Sequence, residues 1–196
     1  MLYGGFMRKI IVSNYVTLDG FFAGPDGEID WFVWDDQMAQ YSKDLLGSID
    51  AILFGRVTYE LMAGYWPAAT AAAEDPIITD AMNNSPKIVF SRTLAKADWN
   101  NTRLVKEIDR DQILKMKQQP GRDMVIFGSG SIVSAFARLG LIDDYRLLVN
   151  PVILGRGKPL FKDIADRINL KLLETRMFDS GAALLHYQPM QGVSIK

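Results

Sequence analysis

Short, wholly apolar runs alternate along this chain with stretches whose apolar residues recur at helical spacing, and that alternation confines it to an α/β architecture. Ala51-Ile52-Leu53-Phe54 is apolar throughout, the pattern of a strand covered on both faces, and Lys87–Phe90 and Met124–Phe127 read the same way. Lys9–Val16, rich in β-branched and aromatic residues, is a first strand, and Thr102–Val105 a short one. A helix begins at Asp35 or Asp36, either of which can cap it, with Met38, Tyr41 and Leu45 on one face and Gly47 as its stop. A second helix, Val57–Ala63, follows Gly55. Residues 64–86 read as a loop with small Ala-rich and Asp80–Asn83 helical pieces. Asp109 caps a helix carrying Ile113, Leu114 and Met116, which Pro120-Gly121 ends, and Ile132–Leu139 is a helix stopped by Gly140. The last third is strand-rich: Tyr145–Val149, then Leu170–Thr175 and Ala183–Tyr187 around the Phe178-Asp179-Ser180-Gly181 turn, an antiparallel hairpin. The sheet is therefore mixed, parallel early and antiparallel late.

At 196 residues, with no repeat or linker, the chain reads as one domain over residues 7–190, with a frayed extension at 1–6 and a tail at 191–196. Its 22 basic and 23 acidic side chains lack the basic excess of a nucleic-acid partner. With no Cys, disulfides, thiolate metal sites and a Cys nucleophile are excluded; the single His, His186, excludes multi-His metal sites and reads as structural or surface-exposed. The apolar runs fall short of the ~20 residues that span a bilayer, and Met1–Phe6 is no signal peptide, so the expected location is cytoplasmic. Trp31, Trp34, Trp66 and Trp99 are core candidates by size, although Trp31 and Trp66 sit in loops that can line a pocket.

The segment from Met124 to Val133 takes a buried strand through Gly128-Ser129-Gly130-Ser131 directly into a helix. Such a junction offers unpaired N–H groups and the positive end of a helix dipole to an anion. Gly128 and Gly130 let a phosphate approach the backbone, and Ser129 and Ser131 add hydroxyls. The third glycine of a dinucleotide fingerprint is replaced by Val133, and no Gly-Lys-Ser/Thr exists for a P-loop. A strand–helix turn also requires glycine for its shape alone, so both readings stand at this point. Gly55-Arg56-Val57-Thr58-Tyr59-Glu60 has the same form, with an Arg that works against the helix dipole unless an anion lies opposite. A third strand ends in Phe90-Ser91-Arg92. Ligands of open α/β sheets bind at the carboxyl ends of strands, and three such ends with anion-compatible groups point to a ligand with more than one phosphate.

Val16-Thr17-Leu18-Asp19-Gly20-Phe21, Gly55–Glu60, Phe127–Gly130 and Asn150-Pro151-Val152-Ile153-Leu154-Gly155-Arg156-Gly157, in that order, resemble the dihydrofolate-reductase-like superfamily. The branch they resemble contains the C-terminal reductase domain of the bifunctional riboflavin-biosynthesis deaminase/reductase, and the likeness runs from Met7 to about Pro189. It implies a mixed, mostly parallel eight-stranded sheet flanked by helices, and NADPH held across the strand ends. The cofactor-binding residues it implies are Val16, Asp19, Gly20, Gly55, Arg56, Thr58, Ser91, Arg92, Phe127, Gly128, Ser129, Gly130, Ser131 and Ile132. In that scheme the 128–132 turn takes the pyrophosphate, Arg56 and Thr58 the adenosine phosphates, and Ser91-Arg92 the 2′-phosphate. The loop from Asp19 through Trp31 closes over the nicotinamide. Asp19, Trp31, Asp36 and Trp66 are the implied substrate-binding residues. Asp36, five residues after Trp31 as in the folate reductases, is the implied catalytic carboxylate, against its reading as a helix cap.

The expected activity is NADPH-dependent reduction of a pyrimidine- or pteridine-like amino-heterocycle, as in 5-amino-6-(5-phosphoribosylamino)uracil reduction. The alternatives are dihydrofolate or pteridine reduction, and a non-catalytic nucleotide-binding dimer of the same fold. Aminouracil reductases carry a Glu where this chain has Gly128, and a chain without Cys is not expected to perform the zinc deamination of the bifunctional enzyme. The apolar hairpin at 170–187 leaves an edge to be covered, so a homodimer is expected.

Overall fold

The computed structural model describes residues 7–68 and 75–190; the expected extension at 1–6, the tail at 191–196 and the Ala-rich piece fall outside these. The strands are β1 (Ile10–Thr17), β2 (Phe21–Ala23), β3 (Ile49–Gly55), β4 (Lys87–Phe90), β5 (Thr102–Val105), β6 (Asp123–Phe127), β7 (Asp144–Asn150), β8 (Lys158–Pro159), β9 (Leu170–Met177) and β10 (Ala183–Pro189). The helices are α1 (Asp36–Ser48), α2 (Arg56–Tyr65), α3 (Pro76–Asn84), α4 (Arg110–Lys117) and α5 (Gly130–Arg138). Eight strands form one sheet in the order β5-β4-β3-β6-β1-β7-β10-β9. All pairs from β5 to β7 are parallel. β10 runs antiparallel to both β7 and β9, completing the expected hairpin.

Strand alternation divides the core. Ile10, Val12, Leu53, Met124 and Ile126 pack with Ile113 of α4 and with Val133 and Phe136 of α5 on one face. On the other face Ile11, Ile52 and Phe54 meet Met38, Tyr41 and Leu45 of α1, Tyr59 of α2, and Ile78 and Met82 of α3. Trp99 belongs to this second core, whereas Trp34 is 46% exposed and does not. Neither helical layer extends over β9: all its residues are exposed, among them Leu170, Leu172, Leu173 and Met177.

Several expectations shift. Gly47 does not stop α1, which continues through Ser48 and enters β3 at Ile49 without a loop; the Ser48 hydroxyl donates to Leu45 O at 2.7 Å. The segment expected to be mostly loop holds α3, a full helix with Pro76 at its first position and Asp75 accepting from Ile77 N at 2.9 Å. A small second sheet, β2 with β8, was absent from the sequence reading because each strand is too short for a periodic signal. Gly157 backs against it so closely that a Cβ there would lie 2.5 Å from Ala23 O.

His186 is structural: its Nε2 lies 3.1 Å from Oδ1 of Asp144, a carboxylate 1% exposed that also receives Lys9 Nζ at 3.1 Å.

Lys87 is a buried cation at the amino edge, 1% exposed. Its ammonium donates to Asn83 O, Ser85 O and Asn100 O at 2.8, 2.9 and 3.1 Å, closing the carboxyl end of α3, and lies 4.3 Å from the Trp99 ring centroid. Burial pulls its pKa down to about 8. Between that value and the ordinary lysine value the unfolded chain holds a proton that the folded chain has released, so stability rises with pH across the interval. Urea midpoints at pH 8 and 9.5 are expected to increase in the wild type and to flatten in Lys87→Met. The buried tyrosines Tyr15 and Tyr145, pushed upward by burial, act in the opposite sense only where unfolded tyrosines ionise, near pH 10.

Candidate functional site at the carboxyl edge of the sheet

The parallel register aligns the strand ends that the sequence singled out. Gly55 pairs with Phe90, Leu53 with Ile126, and Phe127 with Ser13. Arg56, Ser91-Arg92 and the Gly128–Ser131 turn therefore leave the sheet side by side from β3, β4 and β6, three adjacent strands on one edge.

Two of these junctions are tied to each other. The Ser129 hydroxyl accepts from Gly55 N at 2.8 Å and donates to Thr58 Oγ1 at 2.9 Å. To make both bonds Ser129 adopts a left-handed conformation, φ 55°, following Gly128 at φ 60°. A non-glycine residue in that region is uncommon and strained. Gly55 must lack a side chain, because a Cβ would come within 2.5 Å of Ser129 Oγ.

The tie leaves both helix starts without side-chain caps. Asp35, Asp75 and Asp109 cap α1, α3 and α4, whereas α2 and α5 start at Gly55 and Ser129 with no side-chain hydrogen bond. First-turn amides of α2 and, in α5, Gly130 N and Ser131 N thus remain for an external acceptor, Ile132 N being taken by Ser129 O at 2.9 Å. The sequence reading assigned Ser129 and Thr58 hydroxyls to phosphate; instead they bond each other, and both residues are buried. Ser131 is exposed in the first turn of α5, and Ile132 is buried beneath it.

The guanidiniums reach this edge on exposed side chains. Arg56 pairs with Glu60 one turn on, at 3.0 Å, and Arg92 with Glu107 at 3.3 Å. Exposed pairs of this kind contribute about 0–1 kcal/mol, so a phosphate can displace the carboxylate readily. Ser91 Oγ accepts from Thr93 N and Leu94 N at 3.2 and 2.9 Å and shapes the turn that carries Arg92.

Asp19 is engaged within the chain. Its carboxylate takes a hydrogen bond from Thr17 Oγ1 at 2.6 Å and from Leu154 N and Gly155 N at 3.2 and 2.8 Å. It latches the turn after β1 to the 150–157 loop. The Thr17 bond, helped by the two amides, holds its carboxyl below the usual range. Val16 is buried in the α5-side core and Gly20 O receives Leu160 N at 3.3 Å, so both shape this rim.

On the α1 side the 24–35 loop lays an aromatic platform over the ends of β1 and β7. Tyr15 stacks on Phe32 at 5.1 Å between centroids, with Trp34 tilted at 6.3 Å, and Trp31 meets Phe32 edge-on at 6.5 Å. Val33 N donates to Asn150 Oδ1 at 2.9 Å, anchoring the loop to β7. Asp35, not Asp36, is the cap: it accepts from Met38 N at 2.8 Å and from Ser180 N at 2.7 Å. Burial works to raise its carboxyl, but these bonds outweigh it and hold it low. Asp36 is exposed and has no hydrogen-bond partner among the described residues. Trp66 ends α2, its Nε1 3.2 Å from Met62 Sδ.

Asn14, which the sequence reading passed over, lies in β1 with its Oδ1 accepting from Gly128 N at 2.8 Å. An amide side chain interrupting the β1 apolar run was the available signal. Among the described residues no group of His and carboxylate side chains could hold a metal, and no helix is long and apolar enough to cross a membrane.

The family described as the RibD C-terminal domain matches residues 8–184. The chain is 39% identical over 180 residues to the uncharacterized protein YyaP of Bacillus subtilis (strain 168), covering 92% of this chain and 94% of that one. A riboflavin-biosynthesis protein structure from Shewanella sp. PV-4 superposes with a TM-score of 0.76 at 20% identity, over 94% of this chain and 100% of that one. A dihydrofolate reductase from Enterococcus faecalis complexed with NADP(H) superposes with a TM-score of 0.63 at 14% identity, over 94% and 98%. At such identities the structural matches establish the fold, a dihydrofolate-reductase-like mixed sheet as the sequence reading expected.

Ser129→Ala is expected to destabilise the protein by about 1–3 kcal/mol, because Gly55 N is left buried without an acceptor. Ser129→Gly should lose less, since it also relieves the left-handed strain of about 1–2 kcal/mol. Chemical denaturation of both variants measures the difference.

Proposed function

Because the chain belongs to the RibD C-terminal domain family, we propose that it is an NADPH-dependent oxidoreductase acting on a pyrimidine- or pteridine-like amino-heterocycle. The observation that carries this reading is the pair of adjacent helix starts, α2 and α5, left uncapped beside two guanidiniums at one sheet edge. That arrangement fits a molecule with several phosphates. The residues that would hold it are the first-turn amides of α5 with Ser131, and Arg56 with Arg92. When bound, NADPH would supply a hydride for a C=N bond of the substrate.

The chain's own tasks are placement and exclusion of water. The Asp19 latch fixes the loops over the edge, and Tyr15, Phe32, Trp34 and Trp31 supply flat apolar surface for a planar ring. Asp36, exposed and clear of the cap, is the carboxylate positioned at the start of α1 to exchange a proton with solvent, and water serves the same end. One observation favours a second reading, nucleotide binding without turnover: Asp36 stands in solvent instead of in an apolar pocket that would press it against a substrate.

The protein is further proposed to be a homodimer through the β10–β9 end of the sheet. Support comes from β9, an edge strand exposed along its whole length with Leu170, Leu172 and Met177 uncovered.

Titration with NADPH is expected to quench tryptophan emission saturably, with a Kd well below 1 mM, and Arg92→Ala should weaken NADPH about tenfold while leaving NADH nearly unchanged. Absence of saturable binding removes the reading. Tight binding without NADPH oxidation on pterin, folate and aminouracil substrates selects the second one. Light scattering should return twice the chain mass, falling to the single mass in Leu172→Glu.

A further inference from the structure

Asn14 is a buried polar side chain with only one end in use. It is 4% exposed, lies between Ser13 and Tyr15 in β1, and takes the Gly128 N–H on its Oδ1 at 2.8 Å. That bond fixes which way the amide points, because an N–H donor requires the oxygen and so leaves the NH2 at the opposite end. Asn14 Nδ2 is buried and has no hydrogen-bond partner. Buried donors in native proteins are paired as a rule, so one left open beside a candidate ligand site calls for an acceptor from outside the chain.

The strand order indicates which part of a ligand supplies it. Arg92 follows β4, Arg56 follows β3, the Gly128–Ser131 turn follows β6, and Asn14 sits in β1, the next strand along. A dinucleotide laid on this edge with its 2′-phosphate at β4 and its pyrophosphate at β3 and β6 brings its nicotinamide half to β1. We infer that Asn14 is a cofactor-binding residue: Oδ1 holds the Gly128 amide, and Nδ2 donates to the carboxamide oxygen of the nicotinamide. One side chain then couples the shape of the phosphate turn to the orientation of the ring. This assignment rests on the NADPH reading above.

Binding, not turnover, tests it. Protein with 15N-labelled asparagine is titrated with NADPH and, separately, with 2′,5′-ADP, which lacks the nicotinamide half. NADPH shifts the Asn14 side-chain amide signal and 2′,5′-ADP leaves it in place. Asn14→Asp, which keeps an oxygen for Gly128 N and loses the donor, weakens NADPH by about tenfold and 2′,5′-ADP by less than about twofold. An Asn14 signal unmoved at saturating NADPH overturns the assignment, whether or not the variant folds. So does an Asn14→Asp protein that binds NADPH as tightly as the wild type, or one that loses both ligands equally, which reports added charge or a distorted turn. A wild-type protein that binds 2′,5′-ADP and not NADPH overturns this assignment while leaving the phosphate edge intact. One that binds neither removes the NADPH reading and the assignment together.

Discussion

The Ser129 hydroxyl is the point on which the carboxyl edge depends. By accepting from Gly55 N and donating to Thr58 it joins its own strand–helix junction to the one after β3, whose two contact residues lie 74 and 71 residues away in sequence. The identities around it follow from that one group. Ser129 must turn left-handed to reach, Gly128 must precede it in the same region, and Gly55 must leave room. Because the hydroxyl is engaged across the junction, it does not cap its own helix, and the amides of two neighbouring helices stay open toward the same side. A pair of uncapped helix starts at one edge is thus a by-product of how the two junctions are held together.

The same economy governs the loops above the edge. Thr17-Leu18-Asp19-Gly20 and Asn150–Gly157 occur far apart in the chain, yet the Asp19 carboxylate on Leu154 N and Gly155 N makes them one unit, and Leu18 N on Val152 O at 2.9 Å repeats the tie. A pair of motifs of this kind has a structural reason to travel together, alongside any role in holding a ligand. Asn150 extends the unit to the aromatic loop through Val33 N.

Much of this was legible in the sequence. β4 and β5 begin and end where the sequence places them, and β4 is buried along its whole length, where a parallel strand has little freedom in composition. Asp35 and Asp109 announce their helices, and the three anion-compatible junctions are neighbours in space, in the order β4, β3, β6. What escaped was decided by distant partners. The β2–β8 ribbon is too short to signal itself, α3 buries only Ile78 and Met82 with Ala81 packed beside them, and Gly47 lies in a helix that a strand continues without a turn. The hydroxyls of Ser129 and Thr58 looked available for phosphate because nothing local reveals that they face each other. Asn14 looked like a strand residue for the same reason.

Gly157, backed against Ala23 O with no space for a methyl group, carries an evolutionary consequence. Where main chain presses on main chain, no substitution can be absorbed by a neighbour changing its side chain, so this corner of the rim is frozen in any descendant that keeps the fold. The rings of Trp31, Phe32 and Trp34 are under no such restriction. Descendants can therefore vary that aromatic surface while the glycine-backed frame is inherited unchanged.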